Sequence, residues 1–204
     1  MNTAAIPIRP SFSTVFAFEP AEHPARFGYG LLEEDVKTEP PAALRFEHEV
    51  VRFQRAVGRQ RDVARSAIVK KLLTADNPDE YIQTALHTLI SSARPGRLDD
   101  AVDILSECGR LLPQFVHEML SQPQTSEGDE DYWYALIRGM GKSTLPSARM
   151  FVELLWPKSP EAAVEALGDI GDGESLKRLH EVAVGDPSDF IRQLAAGIVE
   201  ECSE

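Results

Sequence analysis

The sequence predicts an all-α fold, an α-solenoid of antiparallel helix pairs preceded by an extended N-terminal arm. Three observations predict it. Helical apolar spacing stops and restarts at short intervals: Val164, Leu167 and Ile170 run into Gly171-Asp172-Gly173, Leu176, Leu179 and Val182 follow, and after Asp186-Pro187 come Ile191, Leu194 and Ile198. The unit also recurs, loosely, at a spacing of about 30 residues. Ala135 to Lys142 lines up with Glu165 to Asp172 after a shift of one, and Ser159-Pro160 lines up with Asp186-Pro187. No long alternating strand pattern survives beyond residue 40. A unit repeated in this way cannot bury its apolar face alone and must stack on its neighbours.

Residues 1–41 read as the arm. Pro7, Pro10, Pro20, Pro24, Pro40 and Pro41 interrupt any helical periodicity, yet Phe12, Phe16, Phe18, Phe27 and Tyr29 accompany them. A solvated tail seldom carries so many aromatic side chains. The run Phe12 to Phe18 alternates, which puts Phe12, Thr14, Phe16 and Phe18 on one side of an extended chain. Such an arm either covers the first helices or docks on a partner, with Phe16 and Phe18 among its anchors. Lys37 to Pro41 reads as the linker into the helical region, residues 42–204.

From there the spacing predicts helices over 42–57, 60–75, 79–93, 98–109, 112–121, 130–140, 145–155, 160–170, 173–184 and 187–202. Gly58, Asn77-Pro78, Pro95-Gly96, Gly109, the 123–128 stretch, Gly141, Pro157 to Pro160, Gly171 to Gly173 and Gly185 to Pro187 punctuate them. Ser159 before Pro160, and Asp186 before Pro187, place a capping side chain ahead of a proline suited to the first helical position. Connections this short force successive helices to run antiparallel.

Composition bounds the function. Thirty-three acidic against 21 basic residues give a net charge of −12, which disfavours general binding to nucleic acid or anionic membrane. No apolar run reaches the ~20 residues a bilayer span needs. The first residues lack the basic-then-apolar order of a secretory signal. Cys108 and Cys202, the only cysteines, both stand at apolar helix positions and read as reduced core residues. The expectation is a cytoplasmic protein.

Chemical motifs are sparse. Gly139-Met140-Gly141-Lys142-Ser143-Thr144 resembles part of a phosphate loop, but Leu136 stands where the pattern requires its first glycine and a helix precedes it; a repeat turn accounts for these glycines. His23, His48, His87, His117 and His180 are scattered without metal-ligand spacing, and no strand–turn–helix elbow surrounds a serine. The expectation is therefore no cofactor, no metal and no catalytic set.

The most specific feature is a basic helix. At ~100° per residue, Phe46, Val50, Phe53 and Val57 fall on one stripe, while Arg45, His48, Arg52, Arg55 and Arg59 fall together on another face. Arg61, Arg65, Lys70 and Lys71 follow. Residues 40–75 carry eight basic and three acidic side chains, a local +5 against −17 for the remainder. These arginines are either paired with acids of a neighbouring helix or of the arm (Glu33, Glu34, Asp35), or they form a patch for carboxylate or phosphate. The acidic loop Glu127-Gly128-Asp129-Glu130-Asp131 ahead of Tyr132-Trp133-Tyr134 is the second candidate. The charges suit a helix start, and three consecutive aromatics cannot all face inward, so at least one lies near the surface as an interface anchor. Trp156 reads as core or as a plug at a repeat edge.

The repeat resembles the HEAT-like family in its compact bacterial form. The resemblance rests on Ala166-Leu167-Gly168-x-Ile170-Gly171-Asp172, Leu176 to Leu179, and Asp186-Pro187 with Ile191-Arg192 and Ala195-Ala196. It is clear over about 130–204 and weak over 42–128, and the Gln122 to Glu130 loop departs from it. Proteins of this kind are α-solenoids that mostly bind other macromolecules on a concave surface. The resemblance implies a non-enzymatic protein-binding scaffold, an adaptor or a specific inhibitor of the bacterial immunity type, whose partner is another protein. Two alternatives come with it: a nucleic-acid-binding solenoid using the Arg45–Lys71 helices, as in HEAT-like DNA glycosylases, and an enzyme subunit like the HEAT-like bilin lyases.

Overall fold

A computed structural model describes residues 42–92, 94–121 and 130–203. The chain divides into two units, Met1–Thr38 and Glu39–Glu204, and all described residues belong to the second. The arm, with Phe16 and Phe18, and Asp129 of the acidic loop lie outside the described residues.

Those residues form ten α-helices and no strand. They are α1 (Ala42–Arg55), α2 (Arg59–Thr74), α3 (Pro78–Ile90), α4 (Arg97–Glu107), α5 (Leu112–Ser121), α6 (Glu130–Lys142), α7 (Ala148–Leu155), α8 (Pro160–Ile170), α9 (Gly173–Gly185) and α10 (Asp189–Glu201). Short 3₁₀ turns, Gly109–Leu111 and Trp156–Lys158, precede α5 and α8. The fold is all-helical, as the periodicity predicts, with every predicted helix present.

Local chemistry sets the boundaries. Pro78 and Pro160 stand at the first turns of α3 and α8, where a missing N–H costs nothing. Asp172 caps α9 by accepting from the Ser175 N–H at 2.7 Å, and Ser188 caps α10 by accepting from the Ile191 N–H at 3.4 Å. α10 therefore starts after the Asp186-Pro187 pair rather than on it; Asp186 instead accepts from the Ser188 N–H at 2.8 Å. α7 begins at Ala148, not 145, because Pro146 disfavours helical geometry at Leu145.

Packing centres on α6. It lies against α4 on one side and α8 on the other, α10 packs on α8, and α7 and α9 rest on this row. Toward the N-terminal end, α1 packs on α2 and α3, and α3 continues to α4. Leu136, Ile137 and Met140 of α6 are fully buried, as are Leu167 of α8 and Leu112 of α5.

The structure corrects the reading of the 139–141 glycines. Gly139 and Gly141 lie inside α6, not in a turn. A Cβ on Gly139 would sit 2.6 Å from Leu105 Cβ of α4, and one on Gly141 would sit 2.6 Å from Ala166 Cα of α8. These glycines let the backbones of neighbouring helices approach. Cys202 is corrected too: it is exposed just past α10, whereas Cys108 is buried. Burial, aided by nearby Glu107, pushes the Cys108 thiol up to about 12, so it stays protonated and inert.

Candidate functional site

α1 is anchored by Phe46, Val50 and Phe53, all buried. Val57 does not extend this stripe. The helix ends at Arg55, and Val57 stands 74% exposed in the connection. Gly58, at φ +54°, then reverses the chain, a conformation that glycine adopts without steric cost. Arg59 consequently opens α2 rather than continuing the α1 face, which corrects the expectation of five basic residues on one helix.

The turn nevertheless gathers three of them. Arg52, Arg55 and Arg59 line an open groove of about 890 Å³ between α1 and α2. Its apolar surface comes from Ala56, Val63, Ala64, Ala67 and Ile68, of which Val63 remains 63% exposed. Gln60, Lys71 and Glu49 complete the lining. Arg45 and His48 are exposed but do not line it, and Arg45 holds an interaction of its own.

Electrostatics separates the basic residues into two groups. Lys71 donates to both Glu49 oxygens at 3.2 and 3.3 Å and lies 5.3 Å from the Phe46 ring centroid. Arg61 pairs with the buried Asp100 of α4 and stacks 4.7 Å over the Phe53 ring. Arg65 reaches Glu107 at 3.1 Å and Asp103 at 3.8 Å. These three are used internally. Arg52, Arg55 and Arg59 are exposed and hold no ion pair among the described residues. Glu33, Glu34 and Asp35, the arm's candidate partners for them, lie outside the described residues. Four cations line the groove against one carboxylate, and that carboxylate is bound by Lys71.

The second candidate divides differently. Trp133 is 3% exposed and carries the Lys158 ammonium 5.3 Å from its ring centroid. It belongs to the core, correcting its expected role as a surface anchor; α6 is buried along most of its circumference by α4, α7 and α8. Tyr132 and Tyr134 are half-buried. The Tyr134 hydroxyl donates to Glu165 Oε2 at 2.8 Å, and burial followed by this bond pushes it up to about 12. Arg138 bridges Glu165 at 2.9 Å and Asp169. Burial raises the Asp169 carboxyl against the lowering pull of Arg138 and Lys142. Asp131 pairs with Arg97 at 3.0 Å. This constellation ties α6 to α8 and α4, and its polar groups face one another rather than a ligand.

Among the described residues no three His, Cys, Asp or Glu side chains are placed to hold a metal, and no helix is long and apolar enough to cross a membrane. Neither family models, curated proteins nor solved structures match the chain. The basic stripe of α1 does not by itself reveal the groove's apolar lining, which comes from α2 and the connection. Its signal was there: Val63 and Ala67 lie on α2 positions that the core, which takes Ile68, Val69 and Leu72, does not need.

Proposed function

We propose that the chain is a non-enzymatic protein-binding scaffold of stacked, HEAT-like helix pairs, acting as an adaptor or a specific inhibitor, and that the α1–α2 groove is its principal contact. One observation carries this reading. Arg52, Arg55 and Arg59 surround an apolar groove without acid partners among the described residues, while Arg61, Arg65, Arg97 and Arg138 are all paired across helices. Arginine at an exposed apolar rim is a composition typical of protein interfaces. The resemblance of residues 130–204 to HEAT-like repeats supports the scaffold role. The net charge of −12 favours a basic partner in the long-range encounter, with the groove taking an acidic element of that partner at close range.

The test is photo-crosslinking from Ala56 of the full chain in its native source, with duplex DNA titrated in parallel. Arg52→Glu/Arg55→Glu/Arg59→Glu should lose the crosslinked protein while keeping the melting temperature within about 5 °C of wild type, since each exposed substitution changes stability by roughly 0.5 kcal/mol or less. Capture unchanged by the triple substitution overturns the reading. So does tight duplex binding that weakens steeply with salt, the signature of phosphate contacts.

A further inference from the structure

We infer that the α1–α2 groove receives an acidic amphipathic segment of a partner protein, which seats a bulky apolar side chain over Ala64 and Ala67 and presents carboxylates to Arg52, Arg55 and Arg59. The inference rests on the protein-binding reading and specifies its partner.

Charge and shape select this occupant. The cations of the groove exceed its acids, and Glu49 already serves Lys71, so the incoming group is an anion. Guanidinium forks match carboxylate and phosphate alike. The floor decides between them. Ala56, Ala64 and Ala67 keep it close to the helix backbones, and Val63 beside them is exposed. A free phosphate makes no use of such a surface. Single-stranded nucleic acid would stack its bases on aromatic side chains, and the groove is lined by none. Apolar side chains set between carboxylates do use it, in the manner of a helix laid into a groove. The open groove, about 890 Å³, is within the ~300–1,000 Å³ range of clefts that take drug-sized ligands, so it has room for an apolar side chain together with its carboxylate neighbours.

The experiment measures fluorescence anisotropy of labelled peptides with the full chain. The probe is a helical peptide of Glu, Ala and Leu with its leucines on one face. One control replaces the leucines by serine, the other the glutamates by lysine. The acidic amphipathic probe should bind, with both controls weaker by roughly tenfold or more. Arg52→Glu/Arg55→Glu/Arg59→Glu should cost a similar factor, and so should Ala67→Gln, which fills the exposed floor without changing charge. Circular dichroism melting shows that each variant folds. Absence of binding overturns the inference, as does equal binding of either control, indifference to Ala67→Gln, or displacement of the probe by inorganic polyphosphate at equal phosphate and carboxylate concentration. Failure of the broader reading is separate: if crosslinked capture depends on the three arginines while the acidic probe does not bind, only this inference falls; if capture ignores them, the protein-binding reading at the groove falls.

Discussion

Gly141 shows how single residues shape this molecule. Substituting alanine in a helix interior ordinarily gains about 1 kcal/mol over glycine. At this position the new Cβ would meet Ala166 Cα at 2.6 Å and its carbonyl oxygen at 2.8 Å, atoms of a backbone that cannot rotate away. Gly141→Ala should therefore destabilise by about 1–3 kcal/mol, whereas Gly197→Ala in α10, with nothing within 4 Å, should stabilise slightly. Urea unfolding of the two variants checks the opposite signs. Asp172 acts through its ionisation. The Ser175 N–H holds its carboxyl below the ordinary aspartate value of 3.8, so the ionised form is bound more favourably in the folded chain. That stabilisation is complete above 3.8 and is lost as pH falls through the lower folded value. Asp172→Ala should cost about 1 kcal/mol at neutral pH. The variant should show a shallower acid limb than wild type in a pH series of unfolding midpoints, and an identical limb would contradict the cap's titration.

Between elements, the α6–α8 seam and the α1–α2 groove use charge in opposite ways. Along the seam, Arg138 is only 15% exposed and neutralises Glu165 and Asp169 together, with Tyr134 donating to the same Glu165. Arg138→Met would leave two half-buried carboxylates facing each other. A destabilisation of about 1–3 kcal/mol is expected, larger than for an exposed pair such as Arg178–Glu181, which is worth under about 1 kcal/mol. Chemical denaturation of Arg138→Met and Arg178→Met tests the ranking. At the groove the same magnitudes explain why bare arginines are tolerated. Pairing exposed charges would stabilise the fold by only a few tenths of a kcal/mol, and the repulsion among them is similarly small. Stability places little demand on Arg52, Arg55 and Arg59, so the groove is open to selection for binding.

At the scale of the whole molecule, charge is unevenly spread: +5 in residues 40–75 and −17 elsewhere. The groove is the point where this basic segment meets exposed apolar surface; on the proposed reading, specificity would come from the groove and long-range encounter from the acidic remainder. The sequence by itself determined the all-helical class, the ten helices and most of their ends, because periodicity, prolines and capping side chains act over one or two turns. It also marked the arginine-rich segment. Only the tertiary structure decided which of its cations are spent. Arg61 finds Asp100 39 residues away and Arg65 finds Glu107 of α4, just as Arg138, outside the segment, finds Asp169 31 residues away; nothing in local spacing specifies such partners. The same holds for Gly139 and Gly141, whose meaning changes from turn to helix contact once Leu105 and Ala166 are set beside them. Trp133 moves to the core for that reason, buried by helices remote in sequence. Local chemistry dictates where helices begin and end; long-range packing dictates which side chains are left over, and the groove is built from those.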